Sequence, residues 1–434
     1  MIPIYWSGNP NGDTAGVWKT TTPSSSNWYD YTKKQWANAV TVAPASLSTY
    51  HNTTNVTVQE SDVLGYWVYI PRYRYQIQRY SALGDPPIEK PLAFNIQFEN
   101  KDTPNYEKAI PEQNHDWATH PAFSFGDEDN PNPTELNGIW IAKFEATGTA
   151  AAPTVKPNLS SLMGGIVGDL FSTSINMSLN PDGAAGGNTI IAQNAGQNTH
   201  KLSDQTQSRM ARNTDWGAVV YLTTSSYGRN ATEVWNNNCY GSAWATRYIT
   251  GISGNSVSDS YGTLGEPCQG KSTISEIPDI NKYNGRTGVH ASTTDNIYGI
   301  YDMSGGSEEL VMSNRGAISD TSVMATMPQT RYIDIYYVGP FGIKPTGSAS
   351  SNENFYNFDV CTFQTCGGQA LSETTTMQSD FGFGRSSWFS EGSIFVDSSY
   401  PWATRGGPYY GFYSGIFSVG SSGGDSFRPI LSGF

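Results

Sequence analysis

Apolar and polar residues alternate most clearly over residues 66–80, where large side chains occupy the odd positions. They are Trp67, Tyr69, Tyr73, Tyr75 and Ile77. A period of two is typical of a half-buried strand, and Pro71 marks an edge or a bulge in it. Residues 95–99, which read NIQFE, are predicted to form its hairpin partner.

Three arginines, Arg72, Arg74 and Arg79, interleave with these tyrosines. Arginine among aromatic residues also occurs in nucleic-acid platforms, but one basic strand in an acidic chain favours a solvated face with guanidinium groups stacked on rings. The formal net charge of -13 opposes contact with phosphate backbones. We therefore predict that nucleic acid is not a partner.

Spacings of three to four residues predict two helices. The first lies between residues 155 and 177, where the apolar positions are Leu159, Leu162, Ile166 and Leu170. The second runs from Ser203, a candidate N-cap, to about Leu222. Beside Trp216, one stripe of this second helix carries Met210, Thr214, Gly217 and Tyr221.

The first 56 residues hold short apolar alternations, such as residues 39–42, between turns rich in Asn, Ser, Thr and Gly. We predict a small N-terminal β module over residues 1–56; an extension that packs on the main domain would give the same pattern. Residues 57–434 are then one larger domain with long loop insertions, among them residues 227–290.

Composition indicates a rigid, loop-rich body outside the cytosol. Charged residues are 15% of the chain and aromatic residues 13%, and there are 45 glycines. The four cysteines fit two disulfides, with four reduced and buried thiols as the alternative. The simplest pairing joins Cys239 to Cys268 and Cys361 to Cys366. We expect an extracellular, cell-surface or virion location.

The chain has no apolar run of roughly eighteen residues, so we predict no membrane-spanning segment. Its first residues, MIPIYWSGNP, lack the basic start and apolar stretch of a signal peptide. Residues 126–135 offer oxygen ligands for a structural Ca²⁺, but Pro131 falls where a ligand of an EF-hand-like loop would sit. A solvated acidic loop is favoured, and we predict no metal and no cofactor.

Three motifs follow one another between residues 137 and 434. Residues 137–149 read NGIWIAKFEATGT, and residues 296–314 read NIYGIYDMSGGSEELVMSN. The third motif, near the end, consists of Arg405, Gly406 and Gly407, then Phe427, Arg428 and Pro429. In this order they resemble the strand F-W-I-G-K-x-E-V-T, the core run N-x-[FY]-G-L-[YF]-D-M-x-G-N-V-W-E-W, and the closing pattern R-G-G-S-W then G-F-R. These are hallmarks of the formylglycine-generating-enzyme branch of the C-type lectin fold.

The resemblance implies an α+β, C-type lectin-like (formylglycine-generating-enzyme-like) domain. In that family the last strand returns beside the first, so residues 427–431 should pair near residues 139–144. Asp302 can bond nearby backbone amides and stiffen its turn. The other residues with an expected structural role are Gly305, Arg405, Gly406, Gly407, Phe427 and Arg428.

Enzymes of this family use a cysteine pair ahead of the closing motif, and this chain has no cysteine between Gly406 and Phe427. We therefore predict that it is not an enzyme. The segment 403–434 instead combines aromatic, serine and glycine residues, as antibody-like binding surfaces do. Phe417 is assigned to the core, and the candidate ligand-binding residues are Tyr409, Tyr410, Phe412, Tyr413, Ser414, Ser418, Ser421, Ser422 and Asp425.

This arrangement resembles the variable proteins of diversity-generating retroelements, which carry a diversified aromatic patch near the C-terminus. We predict a displayed ligand-binding protein, an adhesin or receptor-binding component of a phage or bacterial surface, that takes a protein or glycan partner. Two alternatives stay open. One is a formylglycine-generating-type cysteine oxidase with a displaced Cys361 and Cys366 site, and the other is a structural, self-assembling surface or tail protein.

Overall fold

The fold is described from a computed structural model. The described residues are 1–81, 89–103, 117–127, 130–178, 197–203, 205–237, 249–254, 274–314, 330–335, 367–371, 375–376, 385–387, 392–393, 396, 401–407, 414–420 and 426–433.

The strands in these residues, in chain order, are β1 (Ile2–Trp6), β2 (Trp18–Thr20), β3 (Asn38–Val42), β4 (Val63–Pro71), β5 (Tyr73–Ser81), β6 (Glu89–Phe98), β7 (Ala118–Thr119), β8 (Ser124–Asp127), β9 (Asn130–Glu135), β10 (Gly138–Ala142), β11 (Thr147–Thr149), β12 (Ala152–Thr154), β13 (Thr206–Met210), β14 (Glu309–Asn314), β15 (Asp334–Ile335), β16 (Thr375–Thr376), β17 (Arg385–Ser387), β18 (Gly392–Ser393), β19 (Trp402–Gly406), β20 (Gly415–Gly420), β21 (Ser426–Phe427) and β22 (Pro429–Gly433). The α-helices are α1 (Leu47–Tyr50), α2 (Val167–Ile175) and α3 (Asn213–Thr224). Short 3₁₀ helices cover Tyr31–Lys33, Pro44–Ser46, Glu60–Asp62, Pro121–Phe123, Ile274–Glu276, Asp279–Asn281, Gly288–Ala291 and Thr330–Tyr332.

The prediction of an α+β, C-type lectin-like fold is wrong, because the described part of the chain is mainly β. Strands make up 36% of it and helices 19%, and most strands pair antiparallel. Much of the sequence with helical spacing adopts strand or turn structure instead. None of the described helices has the length and apolar character that a membrane span requires.

The first sheet has seven strands in the order β13, β22, β10, β4, β3, β1, β2. In it, β22 lies beside β10, with Trp140 opposite Leu431 and Ile141 opposite Ile430. The predicted return of the last strand beside residues 139–144 is confirmed. Strands β1 to β3 extend this same sheet, so residues 1–56 continue the main sheet and do not form a sheet of their own.

The second sheet brings the central motif and the C-terminal segment together. Its order is β15, β14, β19, β20, β18, β17, β16, and β21 joins it beside β14. Strands β19 and β20 form an antiparallel hairpin next to β14. Helix α3 contacts both β14 and β6, and every one of its residues is buried. The helix therefore forms an internal base for this sheet.

The strand predicted over residues 66–80 is two strands, β4 and β5, which separate at Arg72. Tyr73, Tyr75 and Ile77 are buried, as the alternation predicted. Strand β6 pairs along β5, which confirms the predicted hairpin partner.

The solvated face predicted for the arginines holds for one of them. Arg74 is half-buried and its guanidinium lies 5.0 Å from the centre of the Trp117 ring. Arg72 is fully buried and pairs with Glu99 at 2.8 Å and with Glu135. The predicted solvated position is therefore wrong for Arg72. A buried guanidinium needs charged partners, which these two glutamates supply. The side chain of Arg79 is not among those described.

Neither predicted helix begins where the sequence pattern placed it. Residues 206–210 form β13 against β22, so the second helix starts at Asn213 and Ser203 is not its N-cap. The first helix is confined to Val167–Ile175, and Leu159 is 45% exposed. Pairing with the last strand outweighs local helical spacing, as tertiary contacts commonly do.

Gly217 lies in the middle of α3, where alanine would normally favour the helix by roughly 0.5–1 kcal/mol. Here a Cβ atom would overlap the carbonyl oxygen of Gly368, which packs directly on the helix. We expect Gly217→Ala to lower the free energy of unfolding by about 1–3 kcal/mol, because the backbone must move apart. Urea denaturation measures the change. Gly433→Ala is the control, since its Cβ would meet no atom within 4 Å; a stabilised Gly217→Ala would contradict the close approach.

Candidate functional site

The hairpin of β19 and β20 holds the described part of the predicted binding segment. Gly406 pairs with Gly415, and Arg405 pairs with Val419. Residues 408–413 therefore connect two adjacent strand ends. Tyr409, Tyr410, Phe412 and Tyr413 lie outside the described residues, and so do three further candidates of this segment, Ser421, Ser422 and Asp425.

Two candidate ligand-binding residues, Ser414 and Ser418, are described, and both are buried. Their exposed fractions are 1% and 3%. This corrects the prediction that they contact a ligand at the surface, because β20 is covered on both faces. Phe417, predicted to be core, is 1% exposed and is confirmed as such.

Arg405 and Trp216 fix the hairpin from below. The guanidinium of Arg405 lies 5.6 Å from the centre of the Trp216 ring and donates to the carbonyl oxygen of Ala370. The indole Nε1 of Trp216 donates to the carbonyl oxygen of Ile416 at 2.7 Å. A cation over an aromatic face and a hydrogen bond to strand backbone together hold β19 and β20 on α3.

Two glycines turn the chain at the end of β19. Gly406 and Gly407 have φ angles of 80° and 66°, a left-handed conformation that residues with a Cβ adopt poorly. Both are buried. Their predicted structural role is confirmed, because the turn directs the chain into residues 408–413.

The central motif is tied to this hairpin through Gly305, whose amide donates to the carbonyl oxygen of Gly406 at 3.0 Å. Asp302, three residues earlier, is buried and accepts hydrogen bonds from the Gly251 amide at 2.8 Å and from Asn237 Nδ2 at 2.7 Å. Its predicted role of bonding backbone amides is confirmed. Gly306 also has a positive φ of 73°, and a Cβ there would overlap the carboxylate of Glu145.

Arg428 closes the structure from the last strand region. Its Nε donates to Glu309 Oε2 at 3.1 Å, its Nη2 donates to Glu309 Oε1, and its Nη1 donates to the Ala142 carbonyl oxygen at 2.9 Å. Phe427 beside it is fully buried. The structural roles predicted for both residues are confirmed, since this fork joins β14 to the end of β10.

Three carboxyl groups, those of Glu145, Asp302 and Glu309, surround this one guanidinium, and all are buried. Burial raises the pKa of Glu145 well above its ordinary value, and the charges of Asp302 and Glu309 raise it further. Burial also raises the pKa of Asp302. Burial likewise raises the pKa of Glu309, to about 7, although Arg428 opposes the rise. One positive charge faces three carboxyl groups here, so burial favours their neutral forms. No carboxyl of this cluster reaches solvent, so its role is to hold the fold.

Lys143 is a second buried ionisable residue near the central motif. Its Nζ donates to Asn38 Oδ1 at 2.9 Å and to the carbonyl oxygens of Ile297 and Gly299, both at 2.7 Å. Burial lowers its pKa, whereas three acceptors favour the ammonium, which has three hydrogens to donate. The lysine fastens residues 297–299 to β3 and β10.

The four cysteines predicted to form disulfides, Cys239, Cys268, Cys361 and Cys366, all lie outside the described residues. In the described part of the acidic segment, Asp127 pairs with Asn130 in the hairpin of β8 and β9. Within the described ranges no group of three His, Cys, Asp or Glu side chains is arranged to hold a metal ion.

Neither protein-family models nor curated proteins match this chain. Function is therefore inferred from the residues and their geometry.

The sequence did not predict one surface feature: Trp28 and Trp140 are both partly exposed and lie side by side. Their ring centres lie 6.4 Å apart although the residues are distant in the chain. The only sequence signal was the aromatic richness of residues 1–56, which does not reveal which rings meet. Long-range strand pairing brings them together.

Proposed function

We propose that this chain is a displayed ligand-binding protein, an adhesin or receptor-binding component outside a cell or on a virion. Residues 408–413 are its principal contact segment. The observation that carries the proposal is the buried base of the β19 and β20 hairpin. Every described residue on both sides of the segment, 401–407 and 414–419, is buried.

A fixed base suits a binding loop because ordering a mobile loop costs affinity. The sequence of residues 408–413, PYYGFY, supplies three tyrosines and a phenylalanine beside glycine. Aromatic side chains of this kind give large contact area at low entropy cost. Arg405 and Trp216 hold the strand ends that this segment joins.

Replacing Tyr409, Tyr410 and Tyr413 together by alanine should abolish target binding and leave thermal stability nearly unchanged. The reason is that the proposed contacts are made by the segment while stability resides in the buried base. Fluorescently labelled protein is incubated with intact bacterial cells and cultured epithelial cells, and bound fluorescence is measured. Tyr5→Ala, a half-buried tyrosine on β1, serves as the matched control.

Unchanged cell binding in the triple variant would contradict the proposal. If the triple variant fails to fold, nitration of the native protein with tetranitromethane decides the point. Tyr409, Tyr410 and Tyr413 should be modified readily, whereas Tyr301, which is fully buried, should not. Resistance of all three segment tyrosines to nitration would overturn the proposal.

A further inference from the structure

A group of aromatic side chains remains open to solvent on the first sheet and on the turn that precedes β3. We call it the aromatic surface and define it by Trp28, Tyr29, Tyr69 and Trp140. Tyr29 is 47% exposed, and the other three are half-buried. Large rings left partly in water cost free energy, so a continuous set of them commonly marks a binding site.

The rings of the aromatic surface touch one another in sequence. Ring centres are 5.0 Å apart between Tyr69 and Trp140, 6.4 Å between Trp140 and Trp28, and 5.2 Å between Trp28 and Tyr29. Trp28 and Trp140 are inclined by only 29°. Tyr69 is inclined by 50° to Trp140, and Tyr29 meets Trp28 edge to face at 75°. The four rings therefore form one contiguous aromatic platform with inclined rings, in which only Trp28 and Trp140 are near parallel.

Regular structure holds this platform in place. Tyr69 on β4 and Trp140 on β10 are direct cross-strand partners, so they stand on the same face of the sheet. The indole Nε1 of Trp28 donates to the Asn38 carbonyl oxygen at 2.8 Å. The Tyr31 hydroxyl donates to the Tyr69 carbonyl oxygen at 2.7 Å. Because these side chains are already held in place, binding a ligand costs little of their conformational entropy.

The position of the platform argues against a peptide strand as its ligand. A peptide that extends a sheet needs a free edge. The edges of the first sheet are β13 and β2, whereas β4 and β10 are internal strands. The aromatic surface lies on the face of those internal strands, where no backbone donors or acceptors are open.

The chemistry of the platform favours a ligand without charge. Its four side chains are neutral, and burial raises the pKa of the Tyr69 hydroxyl to about 12, which keeps it protonated. The net charge of -13 on the chain disfavours anionic ligands. Aromatic faces carry negative charge density, which attracts the weakly positive C–H groups on one face of a saturated ring.

We propose that the aromatic surface binds a neutral oligosaccharide. Sugar rings present C–H faces that pack on aromatic rings, and hydroxyl groups that form hydrogen bonds with side-chain amides. Gln35 lies against Trp28, since its Nε2 donates to the carbonyl oxygens of Asn27 at 2.7 Å and of Trp28 at 3.4 Å. A mostly apolar platform with a few polar groups is the usual composition of a small-ligand site.

The test uses the full chain and five probes: the hexasaccharides of cellulose, chitin, xylan, mannan and amylose. Tryptophan fluorescence titration measures affinity for each. At least one probe should bind, and Trp28→Ala should weaken it about ten-fold or more, as loss of an aromatic anchor does. Tyr29→Ala should weaken it to a smaller extent. Val17→Ala, an exposed apolar residue that is 38% accessible, is the matched control.

Binding of none of the five probes would overturn the inference, and so would unchanged affinity in both Trp28→Ala and Tyr29→Ala. Preferential binding of anionic phospholipid vesicles or of a peptide library would also overturn it. The variant of Tyr409, Tyr410 and Tyr413 separates this site from the proposed contact segment. This triple variant should keep its affinity for the hexasaccharide. If the triple variant loses that affinity and Trp28→Ala keeps it, the glycan binds the C-terminal segment and the inference is overturned.

Discussion

Replacing Arg428 by methionine should lower the free energy of unfolding by about 3–5 kcal/mol near neutral pH. Arg428 is the guanidinium that lies among three buried carboxyl groups, and methionine leaves its hydrogen-bonded partner Glu309 without a compensating charge. The hydrogen bond to the Ala142 carbonyl oxygen is lost as well. Urea denaturation followed by circular dichroism measures the change.

Glu145→Gln is the matched control for this prediction. Burial raises the pKa of Glu145 well above its ordinary value, which favours the neutral carboxyl in the folded protein. An uncharged amide of the same size should then leave stability unchanged or raise it. A severe loss of stability in Glu145→Gln, with a mild one in Arg428→Met, would contradict the assignment of charges in this cluster.

The same cluster fixes the sign of a pH effect on the wild-type protein. Folding raises the pKa of Glu145, so the folded chain releases this proton at a higher pH than the unfolded chain, where a glutamate titrates at about 4.3. Stability therefore falls as pH rises from that value through the raised folded pKa. Arg428→Met should be less damaging at mildly acidic pH, since the carboxyl groups then take up protons, and Glu145→Gln should flatten the pH profile.

Local sequence could predict the parts of the fold in which the residue type itself restricts the backbone conformation or the hydrogen bonds that can form. Asp302 and Gly305 were assigned structural roles because a short carboxylate and a turn-forming glycine suit few positions. The role of Arg428 and the pairing of β22 with β10 were expected from the family resemblance. Both are confirmed, although the α+β class attached to them is not.

What the sequence could not predict depends on contacts between distant residues. Strand β13 has helical spacing, but β22 offers it an open edge for pairing. The sequence pattern predicts Arg72 at the surface, but Glu99 and Glu135 form ion pairs with it in the interior. Ser418 sits in a segment with a surface composition, yet both faces of β20 are covered. In each case a partner far along the chain decides burial.

Trp216→Ala should cost about 3–5 kcal/mol of unfolding free energy, the usual loss for a buried tryptophan. The side chain is 1% exposed, and its removal empties the space beneath β19 and β20. It also removes the ring that Arg405 covers and the donor that serves the Ile416 carbonyl oxygen. Urea denaturation again gives the global value, and amide hydrogen exchange reports where the structure loosens.

The strands whose amides lose protection show whether Trp216 supports the β19 and β20 hairpin in particular or the core in general. Amides of β19 and β20 should exchange faster in Trp216→Ala, while those of β4 and β10 in the first sheet should change far less. Trp216→Phe keeps most of the ring but not the donor to Ile416, so we expect an intermediate loss of about 1–3 kcal/mol. Equal loosening of both sheets would mean that Trp216 stabilises the whole core without any special hold on the strands that join residues 408–413.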